Sequence, residues 1–146
     1  MRCKVLMESR YRGKKIIDGK WVYGTYIKQG NNHFIIPKIN KNGYAKCIAV
    51  SKDTVSKFVI GMNNEAWFEG DILEQKYEKW LGIIRYFVDE YVITRIEKGN
   101  LINFDIDSAC AFRRIGNRWD NPEFVKKIES EWKKTKNESI CSRFCR

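Results

Sequence analysis

Two clusters of cationic side chains carry the most explicit chemistry in this sequence. Arg12, Lys14 and Lys15 stand near the start, with Arg10 beside them, and Arg113, Arg114 and Arg118 precede the C-terminal stretch. A guanidinium offers a planar fork of donors that matches a phosphate, and lysine adds a point charge. Tyr11, Trp21, Tyr23 and Trp119 lie close by in sequence, and aromatic rings stack on bases. The pattern points to an anion-binding surface for nucleic acid or a small nucleotide. A structural account competes with it. The rings would then be core, since such side chains bury most of their area, and the arginines would answer Glu69 and Asp71. The sequence leaves both accounts open for the arginines; for the tryptophans burial is the stronger one.

Other reactive residues support less. Glu69 and Asp71 sit two apart in Phe68-Glu69-Gly70-Asp71-Ile72-Leu73, so on a strand both would face one way. A hard cation wants more oxygen ligands than two carboxylates supply, so the pair reads as structural and no metal is expected. Gly70 between them reads as a bulge or a close backbone approach. His33 is the single histidine, and nothing in the spacing places it beside Cys47 or Cys110 as a nucleophile pair. Cys141 and Cys145 are four apart, but a closed zinc site needs a second pair of ligands. No catalytic constellation and no cofactor motif emerges, and the expectation is a protein that is not an enzyme.

About nine short strands must position these groups, with turn signals every eight to twelve residues, the rhythm of a barrel or sandwich. Asp18-Gly19 between apolar runs predicts a hairpin leading into Trp21-Val22-Tyr23. Further strands are expected over 33–37, 44–50, 55–60, 68–73, 82–88, 91–96, 101–106 and 109–115, with polar loops at 40–43 and 63–64. Residues 51–54 predict a brief turn made by side-chain capping, and 75–80 is ambiguous. The period then changes. Asp120 or Asn121 can cap, and Pro122 and Glu123 suit a helix start. Phe124, Val125, Ile128 and Trp132 then recur at helical spacing. This stripe docks either on the β domain or on a neighbouring subunit, which would make the protein a homo-oligomer. Lys126, Lys127, Lys133, Lys134 and Lys136 line the opposite side. The expected fold is mainly β, barrel- or sandwich-like, over residues 1–120, with an amphipathic helix and basic tail over 121–146.

Composition bounds the partners. The 146 residues carry 28 Lys+Arg against 18 Asp+Glu, a net charge of +10, which favours anionic partners. Hydrophobic residues make up 43%, enough to form a core rather than a disordered chain. The five cysteines are odd in number and scattered, which fits a reducing cytoplasm better than a disulfide framework. No apolar run approaches the ~20 residues of a membrane span, and residues 1–7 lack a signal-peptide pattern.

The ordered set of short motifs resembles the YopX family of phage and prophage proteins. The pieces are Tyr11-Arg12-Gly13-Lys14, Asp18-Gly19-Lys20-Trp21-Val22-Tyr23-Gly24, Thr54-Val55 with Phe58 and Gly61, Phe68-Glu69-Gly70-Asp71-Ile72, Gly82-Ile83-Ile84-Arg85-Tyr86 and Ile115-Gly116-Asn117-Arg118-Trp119-Asp120-Asn121-Pro122-Glu123. The loop before Phe68 is shorter than usual for the family, and the lysine-rich helix runs past its usual end. The resemblance implies a β-rich fold, a mobile-element origin and action in the bacterial host cytoplasm. It carries no catalytic residues to transfer. The expected function is a non-enzymatic accessory protein that binds an anionic partner; the alternative is an inhibitor or modulator of a host enzyme, such as one of anti-phage defence.

Overall fold

Turn chemistry sets the topology. Asn63-Asn64, Val88-Asp89 and Lys98-Gly99 all have positive φ at both residues (51° and 64°, 42° and 71°, 49° and 78°), as two-residue hairpins require to match strand twist. The computed structural model describes residues 10–37 and 46–138, with side chains to residue 132. Cys3, the 40–43 loop, Cys141 and Cys145 lie outside the described residues. The chain divides into two compact units, Met1–Phe68 and Glu69–Arg146.

Unit 1 holds a six-stranded antiparallel sheet. Its strands are β1 (Tyr11–Lys14), β2 (Trp21–Gln29), β3 (Asn32–Ile36), β4 (Ile48–Ala49), β5 (Ser56–Met62) and β6 (Glu65–Phe68), ordered β4-β3-β2-β1-β5-β6. A 3-10 turn spans Lys52–Thr54. The expected hairpin forms, with Lys14 opposite Trp21, and Gly19 takes φ +72°. Ile16 and Ile17 sit in its turn, 68% and 88% exposed, rather than in the first strand. Val22, Ile35 and Val50 form one core cluster, with Tyr11, Tyr26, Ile48 and Val55 packed against them, and Trp67 and Phe68 are buried too.

Unit 2 holds a five-stranded antiparallel sheet and the helix. Its strands are β7 (Asp71–Gln75), β8 (Leu81–Phe87), β9 (Glu90–Glu97), β10 (Asn100–Asp105) and β11 (Phe112–Asn117), ordered β10-β9-β8-β7-β11. The helix α1 runs over Pro122–Glu138. Ile72, Leu81 and Ile128 form one core cluster, with Ile83, Ile96, Ile115, Phe124 and Val125 against it, and Leu73, Ile84, Ile93 and Phe112 are buried too. The protein is therefore mainly β, with two antiparallel sheets and one C-terminal helix. Both sheets keep two edge strands, so neither closes into a barrel.

Two expected strands are redrawn. Residues 68–73 are not one strand: Phe68 ends β6, Glu69 and Gly70 form a turn, and Asp71 opens β7. The break falls at Gly70, whose φ of +91° is a conformation that side-chain-bearing residues rarely adopt. The strand expected over 109–115 begins only at Phe112. Before it, Asp105 accepts a bond from the Asp107 amide (2.9 Å), and the Ser108 hydroxyl donates to the Asp105 carbonyl (2.6 Å). These bonds draw Ile106–Ala111 into a 3-10 helix.

Candidate functional site

The Glu69-Gly70-Asp71 step and the 115–123 motif meet in unit 2, through backbone and a ring, and make one frame. The Arg118 amide donates to the Gly70 carbonyl (2.9 Å), and the Gly70 amide donates to the Ile84 carbonyl (2.8 Å). Asn117 pairs with Asp71 across β11 and β7. The Asn117 side chain then builds the following turn. Its oxygen accepts from the amides of Trp119 and Asp120 (3.0 and 2.9 Å), and its nitrogen donates to the Asp120 carboxylate (3.0 Å). That turn lays Trp119 against Gly70: a Cβ at Gly70 would lie 2.6 Å from the ring. The Asn121 side chain accepts from the Asn117 amide (3.1 Å), so it braces the turn. The first helical turn is met instead by the Asn121 carbonyl, which accepts from the Phe124 amide (3.0 Å). This frame organises backbone; its chemistry is structural.

The first basic cluster splits by depth. Arg12 is 2% exposed. Its guanidinium lies 4.5 Å from the Trp21 ring centre and 4.9 Å from that of Phe68, and its Nε donates to the Ser56 hydroxyl (2.9 Å). A cation held between two rings and a hydroxyl is part of the packing of unit 1. Lys14 faces the same way, with its ammonium 5.4 Å from the Trp21 ring centre. Lys15 reaches the Asp18 carboxylate at 3.7 Å.

Lys14 and Lys15 line a cleft of about 550 Å³ together with Lys52. Backbone pairing explains the meeting. Lys15 bridges to Val50, the Ile16 amide donates to the Ala49 carbonyl (3.1 Å), and the Ser51 amide donates to the Lys14 carbonyl (2.8 Å). The Thr54 hydroxyl accepts from the Lys14 amide (2.8 Å) and donates to the Ser51 carbonyl (2.8 Å). These bonds hold the 3-10 turn, and with it Lys52, beside the end of β1. Asn31, Asn32, His33 and Ser51 complete the polar lining. His33 is buried in a wall, its Nδ1 2.6 Å from the Tyr26 hydroxyl and its ring stacked on Tyr26. The Asp18 carboxylate is held below its ordinary pKa, chiefly by the hydrogen bond it accepts from the Lys20 amide, and further by the nearby charges of Lys15 and Lys20. It stays ionised and offsets part of the Lys15 charge. Lys14, Lys15 and Lys52 thus line one cleft with several neutral donors, the Lys14 ammonium leaning on the Trp21 ring, and cationic residues gathered in this way attract phosphate-like anions.

The second basic cluster does not converge. Arg113 and Arg114 are adjacent on β11 and so face opposite sides of the sheet. Arg113 grips Glu74, donating from Nε (2.9 Å) and Nη2 (2.6 Å), so its carboxylate partner is Glu74 rather than Glu69 or Asp71. Arg114 lies opposite Leu73 and is half-buried. Arg118 is exposed, its guanidinium 5.4 Å from the centre of the Trp119 ring.

The helix stripe meets its own sheet. Ile128 is 8% exposed within the unit 2 core, flanked by Phe124 and Val125; Trp132, at the far end, remains 37% exposed. Of the two docking surfaces the sequence leaves open, Phe124 and Ile128 use the one in their own chain.

Lys52 was the residue that sequence spacing could not supply, because its approach to Lys14 depends on the bridge between Lys15 and Val50. The chain matches no protein-family model and no curated protein sequence. Among the described residues no group of three or more His, Cys, Asp or Glu is placed to hold a metal, and no helix is long and apolar enough to cross a membrane.

Proposed function

We propose that this is a non-enzymatic accessory protein of YopX type, encoded by a phage or prophage, which binds nucleic acid or a nucleotide in the host cytoplasm. The observation that carries the reading is the convergence of Lys14, Lys15 and Lys52 around one cleft on a chain of net charge +10. Its volume falls within the roughly 300–1,000 Å³ of small-molecule sites, so a nucleotide or a short run of phosphodiesters fits. The non-catalytic reading is supported by His33, whose Nδ1 is engaged by Tyr26 and which has no nucleophile beside it among its described contacts. The second reading, a modulator of a host enzyme, is supported by the β8–β9 tip. Tyr86, Phe87 and Val88 are there 51%, 41% and 74% exposed.

Fluorescence anisotropy with labelled oligonucleotides and a labelled nucleoside triphosphate, over a KCl series, tests the first reading. Three phosphate contacts on single strands give a slope of log K against log salt of about −2. The variant carrying Lys14→Ala, Lys15→Ala and Lys52→Ala should lose most of that slope while unfolding as the parent does. Equal binding by that variant would remove the cleft from the function. A pull-down from host lysate that captures the same protein with and without nuclease would favour the second reading.

A further inference from the structure

A second concave site lies in unit 2, where the ends of β8 and β9 meet the middle of α1. Its volume is about 190 Å³, and its lining includes Lys79, Trp80, Arg95, Ile96, Lys127 and Ile128. The floor is apolar and fixed. Ile128 belongs to the unit 2 core, and the Trp80 ring is clamped on three sides. It stacks on Phe104 (5.1 Å), meets Phe112 edge-on (5.2 Å) and carries the Arg95 guanidinium 4.2 Å from its centre. The rim is cationic: Lys79, Arg95 and Lys127 face one lining carboxylate, Glu131, while Glu97 approaches Arg95 at 3.3 Å from outside the lining.

The turn carrying Lys79 is held in a costly shape. Lys79 has φ +66°, a backbone conformation that side-chain-bearing residues rarely adopt. Gln75 fixes it there. Its side chain accepts from the amides of Tyr77 (2.7 Å) and Glu78 (2.5 Å), its carbonyl accepts from the Lys79 amide (3.0 Å), and its amide donates to the Trp80 carbonyl (2.9 Å). Strain maintained at the rim of a charged, aromatic-floored pocket is the kind that accompanies ligand sites.

We propose that this pocket binds a small organic anion, an aromatic or apolar body carrying a carboxylate or a phosphate. Its size, under the roughly 300 Å³ of drug-sized sites, admits a single base or a single amino-acid-like group. The floor takes the body and the cationic rim takes the charge. The site uses no residue of the lysine cleft in unit 1, so either can fail alone.

The test follows the Trp80 indole N–H by ¹⁵N NMR of the full chain, assigned with Trp80→Phe. Phenylacetate and adenosine 5′-monophosphate are titrated separately, with benzyl alcohol and inorganic phosphate as ring-only and charge-only controls. At least one of the two anions should shift the Trp80 signal saturably and more tightly than either control. Which one binds better tells whether the site prefers a ring bearing a carboxylate or a base bearing a phosphate. Lys79→Met and Lys127→Met, both at exposed positions, should each weaken binding about tenfold, the loss of one charge-assisted contact, with the rest of the spectrum unchanged. Absence of a saturable shift with both anions, an equal response to benzyl alcohol, or full affinity in both methionine variants would overturn the proposal.

Discussion

Gly70→Ala is the sharpest perturbation this chain offers. A methyl group there meets two costs. The backbone sits at φ +91°, which an L side chain adopts at a penalty of about 1–2 kcal/mol. The new carbon would also lie 2.6 Å from two atoms of the Trp119 ring, and relieving such overpacking costs about 1–3 kcal/mol. Together they predict a loss of about 2–5 kcal/mol, a large share of a domain's margin, and Gly70→Val should lose more. The costs are separable. In a Trp119→Ala background most of the steric part disappears, leaving Arg118 Cδ at 3.3 Å, so the same substitution should cost little more than the backbone part, about 1–2 kcal/mol. Urea unfolding followed by far-ultraviolet circular dichroism on the four proteins of this cycle measures both. A Gly70→Ala protein within about 0.5 kcal/mol of its parent, or an equal penalty in both backgrounds, would refute the account of Trp119 resting on the Gly70 backbone.

Three further outcomes are expected. Arg12→Ala should destabilise unit 1 by about 2–4 kcal/mol, since it removes a desolvated cation–π contact and a charged hydrogen bond; urea unfolding measures this. Ile128→Ala should cost about 2–4 kcal/mol in the same assay, while Trp132→Ala, at a 37% exposed position, should cost less than half as much. Asp18 should titrate below the ordinary aspartate value in a ¹³C NMR pH series. Because its folded pKa is depressed, the stability it lends the hairpin is present above the unfolded pKa and is lost as pH falls through the folded one; an Asp18→Asn protein should lack that acid-side dependence.

Local chemistry was the legible part of this sequence. Asp18-Gly19, Asn63-Asn64 and Lys98-Gly99 announce turns because their residues tolerate positive φ, and the stripe of Phe124, Ile128 and Trp132 announces the helix. The break at Glu69-Gly70 was hidden because the apolar pattern runs through it: Trp67 and Phe68 before and Ile72 and Leu73 after are all buried. Val88 was hidden for the opposite reason, since a β-branched residue at φ +42° violates the turn preference that sequence reading relies on. The partners of charged groups were not legible either. Arg113 finds Glu74 because β11 is registered on β7, and Lys52 joins Lys14 through an isolated bridge between Lys15 and Val50, residues far apart in the chain. The burial of Arg12 depends on Ser56 and Phe68, both more than forty positions away.

The division at Phe68 also bears on how the chain comes to be folded as it is made. Among the described residues every ladder closes within its own unit: β1 pairs with β2 and β5, β5 with β6, and β7 with β8 and β11. No strand of the first sheet waits for a partner that has yet to be synthesised beyond Phe68. The emerging polypeptide can therefore complete one sheet while the second is still being translated, the order in which units of a chain generally fold. In the second sheet β7, its first strand, stays open on one side until β11 arrives, some forty residues later. Ribosome-stalled chains long enough for Phe68 to have cleared the exit tunnel should accordingly be protected from protease through the first sheet, whereas chains in which β11 has not emerged should remain open to cleavage in the second.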